Sequence, residues 1–174
     1  TDDNDCSVTE TFTITEPDEL ILSEEHTHPL CFDYDDGAIN ITTSGGTGPF
    51  SWDWSNSSAT ESISGLEPGD YSLVVTDANN CTDDISVTIT EPTAVEVTET
   101  HTHLLCAGDN NGSINLFASG GTENGLYDYL WNDTSTDEDR NGINFGNYDV
   151  TVTDDNNCTA TLSVEITVPN PIYT

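Results

Sequence analysis

The chain has 174 residues, no Met, no Lys, a single Arg (Arg140), seven Pro and thirteen Gly, and it sets 33 acidic residues against that one basic one. The resulting formal net charge of −32 repels nucleic acid and anionic membranes, which removes both as partners. Only 33% of residues are apolar, but they fall in short alternating runs rich in Thr, Val and Ile. That pattern excludes a disordered acidic tail, a helical bundle and a membrane-inserted segment, and reads as all-β. So charged a chain repels itself, and high ionic strength or divalent cations are expected to favour its folded state.

The chain repeats itself. TDDNDC at 1–6 returns as TDANNC at 76–81 and TDDNNC at 153–158; HTHPLCFDYDDGAIN from His26 returns as HTHLLCAGDNNGSIN from His101, an offset of 75. SGGT at 44–47 returns at 119–122, after which the offset becomes 77 because ENGLYDYLW is longer than GPFSWDW. Four segments follow. Residues 1–16 match only the closing strand of a preceding repeat, 17–91 and 92–168 are repeats, and 169–174 open a following repeat or a tail. No Gly/Ser spacer separates the repeats, so abutting modules in a tandem, stiff, rod-like array are expected, with neighbouring repeats of the same long chain as the first partners.

Taken in chain order, each repeat opens with a strand carrying Leu20 and Leu22 (Val95 and Val97 in the second). Next come strands with Ile39 and Ile41 (Ile114, Leu116), then with Phe50, Trp52 and Trp54 (Tyr127, Tyr129, Trp131). A loop holding Ile63 and Leu66 leads to strands with Tyr71, Leu73 and Val75 (Tyr148, Val150, Val152) and with Ile85, Val87 and Ile89 (Leu162, Val164, Ile166). Period-two alternation puts each apolar set on one face, and Gly45-Gly46, Gly65 and Pro68-Gly69 mark turns. Six or seven short strands with a Trp on the third predict tandem immunoglobulin-like antiparallel β-sandwiches.

Five cysteines occupy repeated positions: Cys31 and Cys106 after the first strand, and Cys6, Cys81 and Cys158 in the turn before the last. If strands simply alternate in direction, the first loop and the last turn share one end of a sandwich. The equivalent end of the next repeat then lies roughly 25–30 Å away, against the roughly 7 Å a disulfide tolerates. This predicts Cys31–Cys81 and Cys106–Cys158 within repeats and leaves Cys6 to an upstream partner. Each bridge would close a loop of about fifty residues, worth about 4 kcal/mol by chain entropy, and would point to an oxidising compartment outside the cell.

Other chemistry is weaker. His26 and His28, and His101 and His103, lie two apart on strands and offer paired imidazoles to Zn²⁺ or Cu²⁺, with Glu24 or Glu99 as a third ligand; two ligands per repeat favour copied strand-end residues instead. The acidic turns at Asp33, Asp35 and Asp36 (Asp109, Asn110, Asn111) and at Asp77, Asn79 and Asn80 (Asp154, Asp155, Asn157) offer oxygens to Ca²⁺. They do not follow the EF-hand spacing, and solvated turns explain them as well. No cofactor is required. The aromatic row on the third strand could stack a sugar but reads better as core. No nucleophile is paired with a base, so no catalytic residue and no enzyme are expected.

The segments LCFDYDDGAINITTSGGTGPFSWDWSN and ISGLEPGDYSLVVTDANNCTDDISVTITEP, with their second-repeat counterparts, resemble the SprB repeat family of Bacteroidetes surface adhesins. The resemblance covers nearly the whole chain. It departs at ENGLYDYLW and NGINFGNY. It implies an extracellular bacterial cell-surface protein exported by the type IX system and acting in attachment or gliding, with no catalytic residue to carry over. The alternatives are a module binding a surface glycan or a divalent metal, and a filament subunit that donates its 1–16 strand to a neighbouring chain.

Overall fold

The structure, a computed structural model, describes residues 9–121 and 126–169. The alternating runs become twelve strands: β1 (Ile21–Thr27), β2 (Gly37–Ser44), β3 (Ser51–Trp54), β4 (Ile63–Leu66), β5 (Gly69–Thr76), β6 (Thr82–Ile89), β7 (Thr93–Thr102), β8 (Gly112–Gly121), β9 (Tyr127–Trp131), β10 (Arg140–Ile143), β11 (Gly146–Asp154) and β12 (Thr159–Ile166). They form four three-stranded sheets, ordered β1-β2-β4, β3-β5-β6, β10-β8-β7 and β12-β11-β9. The two repeats thus share one strand order, and the described residues contain no helix.

In the second repeat the two sheets close on a single core of Leu104, Ile114, Leu116, Trp131, Ile143, Val150, Val152, Val164 and Ile166. Side chains from both sheets fill it, which makes the repeat an immunoglobulin-like sandwich with a buried Trp on its third strand. The counterparts Ile39, Ile41, Trp54, Leu66, Leu73, Val75, Val87 and Ile89 are buried in the first repeat, together with Ile63. Burying each such aliphatic side chain contributes about 1.5–3 kcal/mol. The chain divides into two compact units. The first takes in the described residues to Glu25, Asn40–Ser62 and Tyr71–Ser86; the second takes in His26–Ile39, Ile63–Asp70 and the chain from Val87.

Two expectations need correction, the place of Ile63 and Leu66 and the strict alternation of strand directions. Ile63 and Leu66 lie not in a loop but on β4, which pairs with β2; their counterpart β10 pairs antiparallel with β8. β10 turns into β11 within two residues, and β11 is antiparallel to both β9 and β12. β9 and β10 therefore run the same way. A seven-strand immunoglobulin sandwich has a further strand between them; without it, directions no longer alternate. Consequently the loop after β7 and the turn before β12 lie at opposite ends of the repeat. Gly112 abuts Leu104, Ile143 and Ile166 at one end, and Gly121 abuts Val95 and Asp154 at the other.

A bridge from Cys106 to Cys158 would have to span the length of β11, roughly 25–30 Å at about 3.3 Å per residue. That is several times the reach of a disulfide. Instead Cys158 bonds Cys31 across a sequence separation of 127, with Cα atoms 5.5 Å apart. This replaces both predicted pairings, Cys31–Cys81 and Cys106–Cys158. Cys81 and Cys106 are free and exposed; Cys6 lies outside the described residues. Residues 9–20 form no strand, and Phe12 and Ile14, the counterparts of core Val87 and Ile89, are 79% and 95% exposed.

Candidate functional site

The most elaborated local structure is the turn that ends in the repeated cysteine. In the first repeat Asp77 Oδ1 accepts from the backbone N–H of Asn79 and of Cys81, both at 2.8 Å, and Oδ2 accepts from Thr47 N–H at 2.9 Å. Ala78 N–H donates to the Thr47 carbonyl at 2.8 Å. The GG-T and V-T-D-x-x-x-C motifs are therefore two halves of one clamp. Asn80, at φ 66°, completes the turn in the left-handed region that Asn tolerates. Burial pushes the Asp77 carboxyl up, but the N–H donors of Cys81, Thr47 and Asn79 outweigh it and hold it below 3.8.

The second repeat copies this turn. Asp154 Oδ1 accepts from Asn156 N–H at 2.9 Å and from Cys158 N–H at 2.8 Å, and Asn157 sits at φ 65°. Gly121, at φ +67°, is needed here: a Cβ would collide with the Asp154 carboxylate and lie 2.8 Å from Val95. The turn's far side meets the loop after β1. Asn156 Nδ2 donates to the Leu30 carbonyl at 3.2 Å, and that oxygen lies 3.3 Å from the Cys158 sulfur. Cys31 and Cys158 are buried. Beside their bond is a cleft of about 160 Å³ lined by Phe32, Tyr34, Ala94, Val95 and Thr159.

The loop that carries Cys31 is also repeated. Leu30 N–H donates to Asp36 Oδ1 at 3.2 Å, as Leu105 N–H does to Asn111 Oδ1 at 3.2 Å. Tyr34 N–H donates to the Cys31 carbonyl at 3.4 Å, as Asp109 N–H does to the Cys106 carbonyl at 3.2 Å. Asp109 Oδ2 further accepts from Cys106 N–H at 3.1 Å. Asp33 and Asp35 line an acidic cleft of about 320 Å³ with Glu67 and Glu91, and Asp33 N–H donates to Glu91 Oε2 at 2.5 Å. Among the described residues, no three His, Cys, Asp or Glu side chains are gathered to hold a metal ion.

The histidine pairs have a structural task that sequence reasoning missed. His28 Nδ1 accepts from Thr90 N–H at 3.1 Å and His103 Nδ1 from Thr167 N–H at 3.2 Å. Each seals the backbone just beyond a repeat's last strand, and the accepting role puts the ring proton on Nε2. His26 stacks edge-on to His28 at 4.9 Å, while His101 Nδ1 lies 2.9 Å from Glu99 Oε2. Of the aromatic row, Trp54 and Trp131 are core, each tied by Nε1 to a carbonyl, Thr60 at 2.9 Å and Asp137 at 2.7 Å. Phe50, Trp52, Tyr127 and Tyr129 are half-buried. Burial and the neighbouring Glu138 push the Tyr129 hydroxyl up to about 12.

The family model of the SprB repeat matches residues 23–59 and 98–136. Both segments are similar to the SprB repeat. Each match begins on the repeat's first strand and runs past the cysteine loop and the GG-T clamp to the strand bearing the core Trp. No curated protein matches the chain. Among solved structures, the C-terminal 282-residue fragment of intimin, in complex with the translocated intimin receptor (Tir) intimin-binding domain, is 16% identical over 87% of this chain, with TM-score 0.43. The match spans 64% of that fragment. Murine CEACAM1b, at 12% identity, covers 86% of this chain and 100% of its own, with TM-score 0.34. The amphioxus IgVJ-C2 molecule, also at 12%, covers 88% and 99%, with TM-score 0.34. At such values no function passes from these proteins to this chain.

Proposed function

We propose that the chain is a structural and adhesive segment of a bacterial cell-surface protein, its SprB repeats acting as a stalk or as part of an attachment or gliding adhesin exported by the type IX route. The observation that carries this reading is the Cys31–Cys158 bond between the loop of one repeat, inside a segment that matches the SprB repeat, and a turn of the other repeat. Such a bond persists in an oxidising exterior and serves cohesion, not turnover. Antibodies raised against the chain are expected to label intact cells of the source organism, and protease shaving is expected to remove the label. Label that appears only after cells are broken open would overturn the reading.

A second reading is strand donation. It is favoured by Phe12 and Ile14, core-type side chains that stand in solvent, which suit a segment completing a sheet elsewhere. Binding of a surface glycan, and of Ca²⁺ at the acidic turns of Asp33, Asp35, Asp36, Asp77, Asp109 and Asp154, stay proposals of the same rank. The charge of −32 favours the cation.

A further inference from the structure

Cys31 and Cys158 show which two cysteine positions meet: the loop after a repeat's first strand, and the turn before the last strand of a different repeat. The chain contains one more copy of each position in exposed form, the loop cysteine Cys106 and the turn cysteine Cys81. Both are set in the same local frames as their bonded counterparts. The Cys81 turn is held by Asp77 as the Cys158 turn is by Asp154. The Cys106 loop is held by Asn111 as the Cys31 loop is by Asp36. Leu105, the counterpart of Leu30, is 76% exposed against 55% for Leu30, as expected of a loop that lacks the covering turn.

We propose that Cys106 and Cys81 are complementary half-bridges: Cys106 bonds the turn cysteine of another SprB repeat, and Cys81 bonds the loop cysteine of another. With a second copy of this chain as the source, the bond is Cys106 of one copy to Cys81 of the next. The reaction is thiol–disulfide exchange with a small disulfide R–S–S–R as oxidant. The Cys106 and Cys81 thiols each lose a proton, one S–S bond forms between them, the R–S–S–R bond breaks, and two R–SH leave. The contact joins unlike surfaces, a loop on one copy and a turn on the next, so it is heterologous, and each linked copy keeps one unused half-bridge through which the linkage propagates. The pairing is independent of whether the array adheres to anything.

The experiment uses the full chain carrying Cys6→Ser, which removes the other turn cysteine, incubated with oxidised glutathione at about 1 M salt, where the screening length falls to roughly 3 Å. A ladder of oligomers on non-reducing gels is expected, with Cys106–Cys81 as the linked peptide. Cys81→Ser and Cys106→Ser should each abolish the ladder, and mixing the two variants should restore dimers and nothing larger. Cys106–Cys106 or Cys81–Cys81 links, or glutathione adducts alone, would overturn the pairing. Peptide mapping of the parent protein from cells separates the sources. A Cys106 peptide joined to the Cys81 peptide means a second copy, and one joined to a foreign V-T-D-x-x-x-C turn means an adjacent repeat. A free Cys106 thiol there would overturn the proposal.

Discussion

The turns at Cys81 and Cys158 share a left-handed Asn, a buried Asp accepting two N–H groups and a place before the closing strand, yet one sulfur is exposed and free and the other is bonded. Local sequence builds the turn in both cases. What differs is whether a loop from another repeat lies against it. The cysteine's state is thus a property of the neighbour, and the clamp around Asp77 shows that the turn forms without one.

The sharpest way to break this comparison is to remove each sulfur in turn. Cys158→Ser opens a covalent loop of 127 residues, which the chain-entropy model values at about 5 kcal/mol. Cys81→Ser should change stability by less than about 0.5 kcal/mol. Urea unfolding monitored by Trp fluorescence measures both, and equal effects would mean the two turns are equivalent after all.

A smaller contrast lies at Ile63 and Arg140, which hold the same position in the two repeats. Ile63 is core. Arg140 lies over the rings of Trp131 at 5.2 Å and Tyr148 at 5.8 Å, and its guanidinium makes hydrogen bonds of 3.0 and 2.6 Å to the Asp133 carboxylate. Ile63→Ala should cost about 2–4 kcal/mol through the cavity it leaves. Arg140→Ala should cost about 1–2 kcal/mol, through lost stacking and a half-exposed ion pair. Thermal unfolding of both variants that ranked them the other way would show that the cation, not the isoleucine, anchors its sandwich.

The smallest effect is in acid. Hydrogen bonds from Arg140, helped by Ser135 N–H, hold the Asp133 carboxyl down to about 2 from 3.8. A carboxyl lowered in the folded state stabilises above its unfolded value and loses that contribution as pH falls through the folded one. The transition temperature should therefore drop between pH about 4 and 2, and Asp133→Asn should flatten part of that drop. Asp77, also held low, acts in the same direction in the first repeat and should leave a residual slope in the variant.

The strands were legible because burial on one face writes period two into the sequence, and residues such as Ile39, Ile114, Leu73 and Val150 carry it without interruption. β4 and β10 were not, since four residues with a central Gly, ISGL and RNGI, give no alternation to read. The cysteine pairing failed for a different reason: it needs strict alternation over six strands, and β9 and β10 run the same way. The His28 and His103 acceptors were hidden for another reason: their partners are backbone groups more than sixty residues away.

The covalent loop from Cys31 to Cys158 also governs how the chain carries tension. A pull applied on either side of it travels through two sulfur atoms and bypasses the residues between. At roughly 3.4 Å per extended residue, about 430 Å of contour stays slack until the bond is reduced. Within that span a hydrogen-bond network can rupture and re-form without lengthening the tether.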